Sequence, residues 1–179
     1  MKTVILMTAT VAIFCSQATY AQGLVTLKGY GRDAPVDWSA ATIELNSDAK
    51  RVNLSGNVIF RQSSLKVTSD KMTFTYVDSP VPNSNPGIER VIANNSVKVN
   101  LPDIVASGDL GIFDVERNIL TLVGNVTLSQ RENQLNGERL VIDLNSGMSS
   151  MSSRSTQSGK TADRNERVTG RFVVPKRKL

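Results

Sequence analysis

The stretch RVNLSGNVIFRQSSLKVTSDKMTFTYV at residues 51–77 decides the fold class. Its apolar and polar side chains alternate, as at Val58 and Phe60 and again at Leu65 and Val67. A period of two residues predicts half-buried antiparallel strands, because successive side chains of a strand point to opposite faces. The same alternation continues to Leu144 with turn residues between the runs, and no segment of this body has a helical period. The chain is therefore predicted to be an all-β protein.

A short block recurs inside this pattern. LSGNV at 54–58 returns as LVGNV at 122–126, with a degenerate copy, ANNSV, at 93–97. Gly56 and Gly124 predict a backbone bend or bulge that a residue with a Cβ would resist. Each block is followed at the same spacing by one acid: Asp70, Asp109 and Glu138. We interpret these acids as hydrogen-bond acceptors for turn amides, not as catalytic groups or calcium ligands, which need a denser set of oxygens.

The only tryptophan lies in a run whose alternation changes phase. Val36, Trp38 and Ala40 are spaced on even numbers, whereas Ile43 and Leu45 fall on odd ones. This change predicts a bulge or break near residues 40–41. A lone tryptophan on a strand is interpreted here as part of the core, with stacking on a ligand as the alternative.

The first 21 residues are predicted to be a cleaved signal peptide. One lysine precedes an apolar run at 4–14, and Thr19-Tyr20-Ala21 is an A-x-A-like cleavage site. The run is too short to cross a bilayer as a helix. Cleavage would remove Cys15, the only cysteine, and a secreted domain without disulfides favours a bacterial periplasm.

The positive charge is concentrated at the end of the chain. Residues 22–149 hold 12 Lys+Arg and 14 Asp+Glu, whereas residues 150–179 hold 8 and 2. The serine-rich segment 149–166 is predicted to be a flexible linker, and 167–179 a terminal strand with a basic tail. Nucleic-acid binding is not expected, since a nucleic-acid-binding protein presents its basic residues on the fold itself.

Several kinds of chemistry lack their residues. The chain has no histidine and one cysteine, which excludes a Ser-His-Asp triad, a His-ligated metal and an internal disulfide. It also contains no Walker-type phosphate loop and no Gly-x-Ser-x-Gly turn. We therefore predict no enzymatic activity, no catalytic residue, no metal and no cofactor.

Three regions carry a resemblance to a known family. DAPVDW at 33–38, LSGNVIFRQ with LKVTSDKM within 54–72, and LVGNVTLSQ with LNGERL within 122–140 resemble the OstA-like family. Segments RVT and VVP within 167–175 are similar to its terminal strand. The predicted domain spans 30–148, and the two Gly-Asn-Val blocks at this separation are more specific than either alone.

This resemblance implies a fold and a function. The expected fold is an antiparallel β-jellyroll, a V-shaped sandwich of two sheets with an open apolar groove. Members shield the lipid A acyl chains of lipopolysaccharide in the periplasm and stack end to end as homo-oligomers. They bridge an inner-membrane anchor protein to an outer-membrane β-barrel, and so serve lipopolysaccharide transport and outer-membrane assembly.

The resemblance also nominates site residues. The predicted lipid groove consists of apolar strand residues: Val36, Trp38, Ile43, Leu54, Val58, Phe60, Leu65, Val67, Phe74, Leu122, Val126, Leu128 and Ile142. The predicted oligomer or partner edge consists of residues of the terminal strand: Val168, Phe172, Val173 and Val174. Alternation alone favours an ordinary sandwich core, and only the family resemblance favours a groove. The alternative hypothesis is therefore a self-assembling structural β-protein with a closed core and no lipid ligand, and an enzyme acting on envelope polysaccharide is a third.

Overall fold

The structure, a computed structural model, describes residues 31, 34–82, 84, 86–153 and 167–173. These residues form ten antiparallel strands and no helix, which confirms the all-β prediction. The strands are β1 (Val36–Ser39), β2 (Thr42–Asn46), β3 (Arg51–Gln62), β4 (Leu65–Val77), β5 (Gly87–Leu101), β6 (Ile104–Asp114), β7 (Ile119–Gln130), β8 (Asn133–Asp143), β9 (Ser149–Ser152) and β10 (Thr169–Arg171). Within these ranges we find no helix of the length and apolarity that crossing a membrane requires.

The six long strands β3 to β8 form a meander in which each strand pairs with the next. Two short strands flank it at either end, since β1 and β2 both pair with β3, and β9 and β10 both pair with β8. The phase change predicted near residues 40–41 is confirmed, because β1 ends at Ser39 and β2 begins at Thr42. Between them the Ala41 amide donates to the Gly56 carbonyl at 3.0 Å.

The pairing of every long strand with its neighbours is interrupted at the same level of the sheet. The pairing registers shift at residues 56–57 of β3, 95–96 of β5 and 124–125 of β7, and at facing positions of the other strands. Gly56 and Gly124 have φ of 84° and 81°, so the predicted glycine bulges are confirmed. The middle copy achieves the same conformation with Asn95 and Ser96, at φ of 61° and 52°. We call this row of interruptions the bend line.

The bend line divides the meander into two half-sheets. Half-sheet A consists of residues 58–62, 65–69, 97–101, 104–108, 126–130 and 133–137, with β1 and β10. Half-sheet B consists of residues 51–55, 71–77, 87–94, 110–114, 119–123 and 139–143, with β2 and β9. The two halves of each long strand are thus one strand that bends at this line.

The two half-sheets fold over one another. Phe60 lies opposite Val67, and Phe74 follows Val67 by seven residues along β4, which would be about 23 Å on a straight strand. The ring centroids of Phe60 and Phe74 are nevertheless only 5.9 Å apart. Phe113 of half-sheet B also contacts Phe60, at 6.4 Å between centroids. The chain therefore has the predicted two-sheet, jellyroll-like arrangement, with one continuous apolar core between the layers.

The C-terminal region differs in part from its prediction. Residues 149–152, predicted as the start of a flexible linker, form β9, where Met151 lies opposite Leu140 and packs against the core. The serine content of this segment predicts a linker, but a short edge strand needs only one inward-facing apolar side chain. The terminal strand is present as β10, paired with residues 134–136 of β8. The predicted signal peptide and most of the predicted linker lie outside the described residues.

Candidate functional site

The predicted groove residues converge on the space between the half-sheets. Ten of the thirteen are buried there, with 5% or less of their surface exposed: Leu54, Val58, Phe60, Leu65, Val67, Phe74, Leu122, Val126, Leu128 and Ile142. They come from both half-sheets and from four of the long strands. Alternation places them inside because residues two apart share a face.

The other three predicted groove residues lie on the outermost strands β1 and β2, where Val36 is half-buried against the core and the other two reach solvent. Trp38 is opposite Phe60, and Ile43 is opposite Leu54, so both point to the same side of their half-sheet as a buried neighbour. Trp38 is nonetheless 46% exposed and Ile43 51% exposed, because β1 and β2 are the outermost strands. The interpretation of Trp38 as core is therefore wrong: it lies at the rim of the interior.

A fourth residue belongs to this rim. Leu45 lies opposite Val52 on the inner side of β2 and is 65% exposed. Leu45 could have been predicted from the sequence, because it continues the odd-numbered alternation of Ile43. We call Val36, Trp38, Ile43 and Leu45 the first-strand edge.

The opposite end of the sandwich has a similar rim. Gly170 of β10 lies opposite Leu135, which packs against the core. Val168 and Phe172 stand two residues to either side of Gly170, and both are exposed, as is Val173. The Val173 amide donates to the Asn133 side chain at 3.0 Å, which holds this segment beside β8. We call Val168, Phe172 and Val173 the last-strand edge; Val174 lies outside the described residues.

The interior between these edges is nearly filled by its own side chains. It contains a void of about 10 Å³, roughly the space of one water-sized sphere. The lining comes from both half-sheets: Phe60, Val67, Val91, Ala93, Val97, Gly111, Phe113 and Leu120. An alkyl chain fits in this interior only if the layers separate or the side chains repack, since packed cores have no spare volume.

The acids that follow the repeated blocks lie at the bend line on the outer surface. Asp109 accepts a hydrogen bond from the Asn125 side chain at 2.8 Å, and Asp70 accepts one from the Ser96 hydroxyl at 3.3 Å. Asp70 and Asp109 therefore bind a side chain of a positive-φ residue on the next strand, and not the turn amides that were predicted. Among the described residues no group of three or more His, Cys, Asp or Glu side chains is placed to hold a metal.

The fold and the interior together define an all-β, jellyroll-like protein with an apolar space between two half-sheets. Residues 39–148 match the family described as LptA/(LptD N-terminal domain) LPS transport protein, and the chain belongs to this family. The resemblance to the OstA-like family, and within it to the bridge protein LptA, is thereby confirmed.

A solved structure has the same fold. It is the crystal structure of LptH from Pseudomonas aeruginosa, described as the LptA-homologous periplasmic component of the conserved lipopolysaccharide transport device. The two chains are 22% identical and superpose with a TM-score of 0.66, covering 82% of this chain and 99% of LptH. No curated protein sequence matches the chain significantly.

Proposed function

We propose that this protein is a periplasmic lipopolysaccharide-binding component that shields the acyl chains of lipid A between its half-sheets. It would carry lipopolysaccharide from an inner-membrane anchor protein toward an outer-membrane β-barrel. Family membership supports this role. The observation that carries it is the first-strand edge, where the apolar interior continues into exposed side chains such as Trp38 and Ile43.

The energetics of alkyl burial suit such a carrier. An apolar interior selects for area and shape, since the hydrophobic effect has no direction. Each buried methylene contributes about 0.8 kcal/mol, so ten methylenes contribute about 8 kcal/mol. That gain is available to offset separation of the packed layers. A lipid bound this firmly is best passed to a second apolar interior, because release into water would forfeit the whole gain.

End-to-end assembly would provide that second interior. At both the first-strand edge and the last-strand edge, exposed apolar side chains stand on or beside an outermost strand. An outermost strand has unpaired backbone groups, which a strand of another chain can pair with by β-augmentation. Joining the last-strand edge of one copy to the first-strand edge of the next would cover Trp38 and Phe172 and align the two interiors. The anchor and barrel partners would use the same two edges.

A second candidate function is a structural, self-assembling β-protein that binds no lipid. The small void favours it, because a space of about 10 Å³ beside Phe60 does not hold an alkyl chain without repacking. Both hypotheses predict oligomers that form with increasing concentration. Only the carrier hypothesis predicts that lipopolysaccharide reaches Phe60 in the centre of the interior.

Photo-crosslinking in cells tests the proposal. A photoreactive amino acid is placed at Phe60 in the interior, at Trp38 on the first-strand edge, or at Thr73 on half-sheet B, between buried Met72 and Phe74, as the matched control. The carrier hypothesis predicts lipopolysaccharide adducts at Phe60 and Trp38 and none at Thr73. Absence of adducts at Phe60, with no lipopolysaccharide in the purified protein and no change in Trp38 fluorescence when it is added, would reject the carrier in favour of the structural protein.

A further inference from the structure

Three basic side chains cluster on the outer surface of half-sheet A. Arg61, Lys66 and Lys98 each stand between two buried residues of their strand, so each points away from the interior. Arg61 lies directly opposite Lys66, and Lys98 lies opposite Thr68, two residues further along β4. Directly opposite residues have Cβ atoms about 5 Å apart and diagonal ones about 7 Å. We call these three residues the basic cluster.

Among the described residues the basic cluster forms no ion pair. None of its three side chains has a carboxylate within salt-bridge distance among the described residues. Asp37 lies opposite Arg61 on β1, yet these two groups form no ion pair. Like charges directly opposite on neighbouring strands destabilise a sheet. With Asp37 included, this surface has three basic groups and one acidic group, and a bound anion would relieve the repulsion between Arg61 and Lys66.

Two residues of the basic cluster lie at the free end of half-sheet A. Arg61 and Lys66 each stand two residues from the Ser63-Ser64 turn, at the end of half-sheet A that is farthest from the bend line. The acids Asp70 and Asp109 lie at the bend line itself. Arg61 and Lys66 thus lie at the free end of half-sheet A, where the layers can part, whereas Lys98 lies two residues from Ser96 on the bend line.

We propose that the basic cluster binds the phosphate groups of the lipid headgroup whose acyl chains enter the interior. This inference rests on the proposed function. An amphiphile with its chains between the layers has its headgroup at the free ends of the half-sheets, within reach of the long Arg61 and Lys66 side chains. A guanidinium binds phosphate oxygens through two parallel hydrogen bonds, and the ammonium groups add point charges.

Two triple variants with the same change in charge test the proposal. The test variant is Arg61→Gln with Lys66→Gln and Lys98→Gln. The control is Lys71→Gln with Arg90→Gln and Arg139→Gln, which removes three exposed basic residues from the outer side of half-sheet B. Binding is measured for lipopolysaccharide and for enzymatically dephosphorylated lipopolysaccharide, with inorganic phosphate as a separate ligand, and far-UV circular dichroism checks the fold.

The test variant should bind lipopolysaccharide about tenfold more weakly than wild type, while the control changes by less than about threefold. Wild type should bind the dephosphorylated lipid about as weakly as the test variant does, and the test variant should not distinguish the two lipids. Equal losses in both variants, or equal wild-type affinity for both lipids, would overturn the inference and leave the proposed function standing. Tight binding of inorganic phosphate alone would point to a free anion and overturn the lipid headgroup as its source. Failure of wild type to bind either lipid would overturn both proposals.

Discussion

Replacing Gly124 by alanine tests whether the bend line is fixed by close contact between neighbouring strands. Gly124 has φ of 81°, a conformation that costs a residue with a Cβ about 1–2 kcal/mol. The added Cβ would also lie 2.9 Å from the Asp109 Cβ and overlap its carboxylate. Movement of that carboxylate would break its 2.8 Å hydrogen bond to Asn125. Loss of a hydrogen bond to a charged group costs about 1.5–3 kcal/mol, so we expect a total destabilisation of about 3 kcal/mol.

Urea unfolding measures this cost, with Trp38 emission and far-UV circular dichroism as two independent signals. Gly87→Ala is the matched control, since among the described residues its added Cβ meets only a Val77 methyl group, at 4.0 Å. We expect Gly87→Ala to change the free energy of unfolding by less than about 0.5 kcal/mol.

A double-mutant cycle separates the two contributions at Gly124. In an Asp109→Gly background the whole side chain is already gone, including its hydrogen bond and the Cβ that the Cβ added by Gly124→Ala would meet. Gly124→Ala should then cost only the backbone part, about 1–2 kcal/mol. If Gly124→Ala costs the same in both backgrounds, the contact with Asp109 does not fix the bend, and the reasoning fails.

Three further predictions concern the core, the assembly and the acid sensitivity. Phe60→Ala should destabilise the fold by about 3–5 kcal/mol because it empties the centre of the interior, whereas Trp38→Ala at the rim should cost less than about 1 kcal/mol in urea unfolding. Deleting 167–179 should shift light-scattering mass toward the monomer at equal protein concentration while strand content is retained. Hydrogen bonds from the Ser146 hydroxyl and from neighbouring backbone amides lower the pKa of Asp143. Its charged form therefore stabilises the fold above the unfolded pKa, near pH 4, and this contribution is lost on acidification, so Asp143→Asn should flatten the fall in stability below about pH 4.

Each of these outcomes has a contrary result. Equal losses for Phe60→Ala and Trp38→Ala would contradict their different burial. Unchanged long oligomers after deletion of 167–179 would show that the last-strand edge is not the contact between copies. An unaltered acid profile for Asp143→Asn, compared with exposed Asp48→Asn as control, would show that the hydrogen bonds from the Ser146 turn do not hold the carboxylate in solution.

The fold class and the inner side of each long strand could be predicted from the sequence because alternation is a local property. Leu54, Val58 and Phe60 are inward-facing wherever β3 is placed in the sheet. Exposure could not be predicted in this way, because it depends on how many strands cover a position. Trp38 has the alternation of a core residue and lies at the rim only because β1 has no further neighbour among the described strands. Residues 149–152 show the converse, since pairing with β8 orders a segment whose composition predicts a linker.

The charge distribution shows a second limit of the sequence. Residues 22–149 sum to a mildly acidic body, and this sum does not reveal a local group of basic residues. Strand register reveals this group, since it brings Arg61, Lys66 and Lys98 together from three strands. Of the acids that offset them in the sum, Asp37 stands opposite Arg61, whereas Asp70 and Asp109 lie at the bend line. Net charge constrains what a whole chain attracts, but only register shows where an anion would bind.

The continuity of the long strands limits how this interior can open. Six strands run through both half-sheets, so the layers can separate without loss of strand pairing only by rotation about the bend line. The positive-φ residues and the Asp109–Asn125 and Asp70–Ser96 hydrogen bonds lie on that axis. Stabilising the axis therefore raises the cost of admitting a lipid, whereas loosening it weakens the fold. The Gly124 and Asp109 variants should accordingly change lipid affinity and stability in opposite directions, a relation that a closed, structural core would not produce.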